Sequence, residues 1–375
     1  MKIGVISDTH LNSKKALEHI IQIFLQKGIE LILHCGDIIP EHLDSKLFGG
    51  LPVICALINE QVDACNNGKA DFFKVGAEPD GWIFTRPDER IVNLGPCSAY
   101  VGHKRSFDLL TGSEEKLWQK MHDIRRDNDN CRFLLSGHTH KQTFLKSLYL
   151  GFINSGAVEG SFGAAGGHEY AIIDTETDTV IFSRIQNPIP IKDKSVIGLI
   201  TDSYDISEMV PDFWFKLNQA FKAAEVTDII HCGNIEIADV GHPELSGFTV
   251  HYYLRPDQKE PDEKPDNWRL ISLEKPIVEI NNYRFLVQLA LGPELLDHTE
   301  VQIHKRITKL QAQYPGLIQY IFCGQTGTGL LEEMETAILI NPGSVKICRD
   351  YVIIKLPINE YIFSSIQPDP LPPLE

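Results

Sequence analysis

Aspartate and histidine recur in this chain just where apolar runs end. Asp8 and His10 follow KIGVIS, and their spacing sets both side chains on one side of an extended backbone. Asp37 stands behind Gly36 after LILHC, and Asn59 follows LPVICAL. His138 and His140 flank Thr139 behind Gly137, after FLLS. Several carboxylates and imidazoles at one edge would repel one another or stay unpaired without a cation among them. Oxygen and nitrogen donors together suit Mn²⁺, Fe or Zn²⁺ better than Ca²⁺, which takes oxygen alone. Read singly, each fragment also fits an ordinary turn or a solvated loop. Together, in this order and each behind an apolar run, they point to a metal centre.

The elements that must carry these residues alternate in type. KIGVIS, LILHC, LPVICAL, SAYVG and RFLLSG are short apolar, β-branched runs bounded by turn residues, the pattern of buried strands. Between the first two, SKKALEHIIQIFLQKG predicts a helix. Ser13 is placed to cap it, Ala16, Leu17, Ile20, Ile21 and Phe24 fall at helical spacing, and Gly28 stops it. Strand, helix, strand is a βαβ unit, whose ligands bind at the carboxyl ends of the strands. Segments 144–153 and 170–185 read as β alone, so the expected sheets are mixed.

The pattern is written twice. KIGVISDTH at 2–10 returns as VIGLITDSY at 196–204, and LILHCGDI at 31–38 as DIIHCGNI at 228–235. FLLSGHTH at 133–140 matches YIFCGQTG at 320–327, and FINSGAV at 152–158 matches LINPGSV at 339–345. YAIID…IFSRIQ at 170–186 matches YVIIK…IFSSIQ at 351–367. Five matches in order predict a tandem duplication: one copy over 1–187, a proline-containing linker at 188–194, and a second copy over 195–375. Pairing of the two copies is expected, and a homo-oligomer remains open.

Composition narrows the partners. The formal charge of the 375 residues is −16, of which −5 falls in the first copy and −11 in the second. Basic residues come only in short pairs such as Lys104-Arg105 and Arg125-Arg126, so a long nucleic acid is not expected. No apolar run approaches the roughly 18 residues of a membrane span. Eight cysteines lie far apart without a CxxC pair, and Met1 leads straight into a strand with no leader segment visible. The expectation is reduced thiols and a cytoplasmic location.

With DTH, GD, an Asn behind the third strand, GHTH and NSG on the page, the chain resembles the calcineurin-like metallophosphoesterase superfamily. More narrowly, it is similar to the small prokaryotic phosphodiesterases related to a subunit of the retromer coat. The resemblance spans residues 1–186 and, more faintly, 195–367. It implies an α/β fold, a four-layer α/β/β/α sandwich, present twice in tandem. It also implies two divalent metal ions, Mn first among them, with Fe, Ni or Zn as alternatives. Carried over by position, Asp8, His10 and His140 hold one metal, Asp37 bridges both, and Asn59 and His138 hold the second. Asn59 would also touch the phosphate of a small ester substrate, attacked by a metal-bound hydroxide.

Departures from the family pattern are as informative. The loop after the fourth core strand reads YVGHKR, which places Val101 at a ligand position and leaves His103 two residues on, able to reach a metal if the loop shifts. The usual Gly-Asn signature is here Ile58-Asn59-Glu60-Gln61. In the second copy His10 becomes Tyr204, Asp37 becomes Asn234, His138 becomes Gln325 and His140 becomes Gly327, leaving Asp202 alone. That copy is expected to be catalytically silent. The reading is a metal-dependent phosphohydrolase, a phosphodiesterase on a small substrate, with Asn59 and His103 in catalytic roles. The alternative is a retired scaffold or binding protein on the same fold. Softer features are the loop SFGAAGGHEY at 161–170, the cations Arg105 and Lys141, and an exposed insertion at 256–268.

Overall fold

The computed structural model describes residues 1–10, 12–68, 73–74, 76, 78–86, 90–103, 114–146, 150–160, 167–185, 194–255, 258–288, 308–309, 312–314, 318–324, 329–334 and 337–367. Arg105, Gln325, Gly327, residues 161–166 and all of the linker but Lys194 lie outside them.

Among the described residues, eleven strands precede position 188: β1 (Lys2–Ile6), β2 (Leu31–His34), β3 (Val53–Ala56), β4 (Trp82–Thr85), β5 (Ile91–Asn93), β6 (Ser98–Val101), β7 (Cys131–Ser136), β8 (Gln142–Lys146), β9 (Gly151–Ser155), β10 (His168–Asp174) and β11 (Thr179–Ile185). Eleven follow it: β12 (Ser195–Ile200), β13 (Asp228–His231), β14 (Thr249–Tyr252), β15 (Trp268–Leu270), β16 (Ile277–Ile280), β17 (Tyr283–Gln288), β18 (Tyr320–Cys323), β19 (Gly329–Glu333), β20 (Ile338–Pro342), β21 (Asp350–Leu356) and β22 (Glu360–Ser365). They form two sheets. One runs β15-β14-β13-β12-β21-β22-β11-β10-β1-β2-β3-β4, the other β16-β17-β18-β20-β19-β8-β9-β7-β6-β5. Both orders read alike from either end. Four parallel strands, β1 to β4, are answered by β12 to β15, and the antiparallel pair β10-β11 by β21-β22.

Alternation along the strands builds the layers. In β1, Ile3 and Val5 enter a core between the two sheets, while Ile6 faces outward onto α1 (Lys14–Gln26). Gly4 is required there because a Cβ would collide with the Phe24 ring of that helix, and Gly198 stands in the same relation to Phe221. Met121 and Ile124, in the helix Glu114–Asp127, cover the outer face of the other sheet. The result is the expected α/β/β/α sandwich of mixed sheets. Ser13 does not cap α1 with its side chain; its hydroxyl donates instead to the His10 carbonyl at 2.7 Å. The second correction concerns 256–268, whose last residue, Trp268, is buried at the start of β15 against Tyr252.

Both sheets run unbroken across the two halves. β11 pairs β22 with Ile181 opposite Ile362, and β8 pairs β19 with Phe144 opposite Leu331. Each of these residues faces its own counterpart in the sequence repeat, the register of an isologous two-fold contact. At one end of the seam Arg184 is enclosed between Glu169 at 3.0 Å and Glu333 at 2.8 Å. At the other, Lys146 meets Asp350 at 3.0 Å and the Ser365 hydroxyl at 2.8 Å.

Candidate metal centre

The first site residue on the chain is also the most enclosed. Asp8 follows β1 in the left-handed region (φ 55°) and is 1% exposed. Its Oδ2 accepts from the Ser7 hydroxyl at 2.5 Å and from the His138 N–H at 3.0 Å. Oδ1 accepts no aligned hydrogen bond, yet faces the Nε2 atoms of His140 at 3.2 Å, His103 at 3.7 Å and His10 at 4.0 Å. Burial pushes the Asp8 carboxyl up; His140, His103 and Ser7 outweigh it and hold it at about 2. The Asp8 carboxylate beside its Nε2 raises His140, against its burial, whereas burial lowers His103. Asp37 likewise takes φ 57° at the tip of β2, with Oδ2 3.5 Å from His10 Nε2. His138 and His140 also have positive φ, 84° and 56°. Four ligand-type residues in a sparsely populated backbone conformation mark a site held in shape by its surroundings.

Two glycines make room for it. At Gly36 (φ 101°) a Cβ would strike the His103 side chain and the Ala56 carbonyl. At Gly137 it would overlap Ser7 Oγ and stand 2.8 Å from Asp8 Oδ2 and His103 Nδ1. Beneath the loops, buried His34 accepts from Gly36 N–H through Nδ1 at 3.1 Å, so its Nε2–H donates to Thr9 Oγ1 at 2.9 Å. Burial pushes this imidazole down to about 3, keeping it neutral in the role of a brace.

The donor atoms fall into two sets, Asp8 with His10 and His140, and Asp8 with Asp37 and His103, each within 4.8 Å. An enclosed carboxylate oxygen facing three imidazole nitrogens fits a divalent cation with mixed O and N ligands. Asp8, and not Asp37, is the residue common to both sets. His103 is already in place without a loop shift: its Nδ1 donates to the Cys35 carbonyl at 2.9 Å, which turns Nε2 towards the carboxylates. Val101 is fully buried in the inter-sheet core and cannot be a ligand. His138 lies outside both sets, its ring 5.3 Å from that of His103. Asn59 opens α2 (Asn59–Asn66) and is exposed, as is Glu60. Gln61 is structural, its side chain bonded to Ile58 N–H at 3.0 Å and to the Ile38 carbonyl at 2.7 Å. Glu159 was not foreseen: its Oε2 lies 3.6 Å from His10 Nε2, brought there by a bond from its N–H to the Asp8 carbonyl.

The corresponding place in the second half keeps the frame but pairs its carboxylate with an amide. Asp202 and Asn234 repeat the positive φ (54° and 56°), and His231 repeats the brace through Gly233 N–H and Ser203. Here the Asn234 amide donates to Asp202 Oδ1 at 2.6 Å. Lys346 Nζ sits 3.5 Å above the Tyr204 ring and 3.2 Å from Asp205. Burial raises Asp202, where Asp8 is held low.

Residues 1–178 match the model of the calcineurin-like phosphoesterase superfamily domain. Similar solved structures include a predicted phosphoesterase from Streptococcus pneumoniae, 20% identical over 49% of this chain and 88% of that one (TM-score 0.32). An archaeal phosphodiesterase is 18% identical over 49% and 100% (TM-score 0.33). Vps29 from Entamoeba histolytica is 19% identical over 49% and 91% (TM-score 0.31). No curated protein matches the chain. Among the described residues no helix is long and apolar enough to cross a membrane.

Proposed function

We propose, from the match of residues 1–178 to the calcineurin-like phosphoesterase superfamily domain, that the chain is a metal-dependent phosphodiesterase acting on a small phosphate ester, with its one working site in the first half. The convergence of His10, His103 and His140 on the buried Oδ1 of Asp8 carries this reading. Asp8, His10, Asp37, His103 and His140 would hold the cations, Mn²⁺ first among them, with Asn59 and His138 beside them. Such cations lower the pKa of water and offset phosphate charge. The chain's own part is to hold two carboxylates at the floor and fix the His103 tautomer through Cys35. Asn59, exposed at the start of α2, would donate an amide hydrogen to the substrate phosphate.

The repeat, the matching strand orders and the self-facing seam support a tandem duplication with domains at 1–187 and 195–375. The second copy would be a silent partner, because the Asn234 amide already takes the Asp202 carboxylate. A cytoplasmic setting fits the eight free cysteines. Elemental analysis of the purified chain, paired with hydrolysis of bis(p-nitrophenyl) phosphate in Mn²⁺, tests the function. Metal should be present and activity lost in Asp37→Ala; no metal, or unchanged activity in that variant, refutes it.

A further inference from the structure

A cavity of about 310 Å³ opens between the sheets at the start of β7, while the metal-type ligands lie beyond its end. Arg132 and His138 are six residues apart along that strand, roughly 20 Å at 3.3 Å per residue. The floor is made of Phe133, Phe144 and Phe363, with the last two rings 4.6 Å apart. Phe363 belongs to the second half, so the cavity straddles the seam.

The fold does not impose this opening. Across the two-fold relation, Val180 in the cavity answers to Tyr361 and Gly151 to Ile338, both buried. Ser365, bonded to cavity residue Lys146, answers to Arg184, enclosed by its two glutamates. Larger side chains thus pack the related place, and smaller ones leave this one open.

The rim carries three cations, Arg125, Arg132 and Lys146, with Asp129 and Asp178. Asp178 pairs with Arg132 at 2.8 Å and lies 3.8 Å from Lys146, which also holds Asp350. Arg125 differs: one N–H donates to the Cys131 carbonyl at 2.8 Å, and no acidic partner meets it among the described residues. A cation with donors to spare beside an aromatic slot of this size is the pattern of a small-molecule site.

We propose that this cavity binds a small organic anion with an aromatic body, its acidic group on Arg125 and its ring laid on the apolar floor that the three phenylalanines form. The site is independent of the metal centre and of the phosphodiesterase reading. Fluorescence titration of the intact chain with 8-anilinonaphthalene-1-sulfonate, in the presence of a chelator, tests it. Saturable binding at one site per chain is expected, unchanged in Asp8→Asn. Arg125→Gln should weaken it about tenfold or more, the worth of a charge-assisted contact. Val180→Tyr, which copies the filled counterpart, should abolish it, with circular dichroism confirming the fold. The uncharged N-phenyl-1-naphthylamine should bind more weakly. Absence of saturable binding, or binding indifferent to both Arg125→Gln and Val180→Tyr, overturns the site; equal affinity for the neutral probe overturns the anion.

Discussion

One added methyl group separates the two halves by experiment. In Gly137→Ala the new Cβ overlaps Ser7 Oγ and comes within 2.8 Å of Asp8 Oδ2 and His103 Nδ1, so the Ser7 hydroxyl must swing away from Asp8 and the other two groups must give way. Overpacking of this kind costs about 1–3 kcal/mol of stability. Displacing the groups that orient the ligands should also lower metal affinity about 10–100-fold. Gly324→Ala is the internal control, because its Cβ overlaps Thr201 Oγ1 and stands 2.9 Å from the Cys232 carbonyl. That variant should lose comparable stability in guanidinium denaturation and bind metal like the unmodified chain. Calorimetric titration with Mn²⁺ after chelation reads the difference. Unaltered metal binding in Gly137→Ala, or an equal loss in Gly324→Ala, would refute the assignment of the centre to the first half.

Three further outcomes follow from burial. Arg184→Met strands Glu169 and Glu333 without a cation inside the seam and should cost about 3–5 kcal/mol on guanidinium unfolding. Burial holds His34 and His231 down to about 3, below their unfolded value near 6.5. Their contribution is therefore complete above pH 6.5 and lost as pH falls towards 3, about 2 kcal/mol each at pH 5. Unfolding curves at pH 7.5 and 5 should show the loss, with a smaller pH dependence in His231→Asn. Val101→His places an imidazole in the inter-sheet core and should lose about 2–3 kcal/mol in the same assay. Metal stoichiometry by elemental analysis should not rise.

Most of the candidate metal site could be named from the sequence because its residues stand at strand tips, where apolar runs break off next to Asp8, Asp37 and His140. His103 was harder to place, since its position depends on how β6 ends. Val101 turns inwards between the sheets, and the chain beyond Gly102 brings His103 over the tip of β2 onto the Cys35 carbonyl. Glu159 carries no local signal at all; it reaches His10 only because its segment hydrogen-bonds to the backbone after β1. The repeat announced two similar halves, but strand pairing across them depends on register, which no single apolar run specifies. Arg184 and Glu333 could not be recognised as partners before that register was known.

The self-facing seam also limits what could take either half's place. If two identical chains met there as a dimer, each substitution would appear at both ends of the contact. Two halves of one polypeptide are under no such restriction. Continuing the repeat along β8 and β19 sets Lys146 against Glu333, and from β11 to β22 sets Arg184 against Ser365. A homodimer with lysine at both positions would present like charges where this chain has opposite ones. The present charge pattern is thus closed to a homodimer and needs two unlike halves: neither could be replaced at the seam by a second copy of the other.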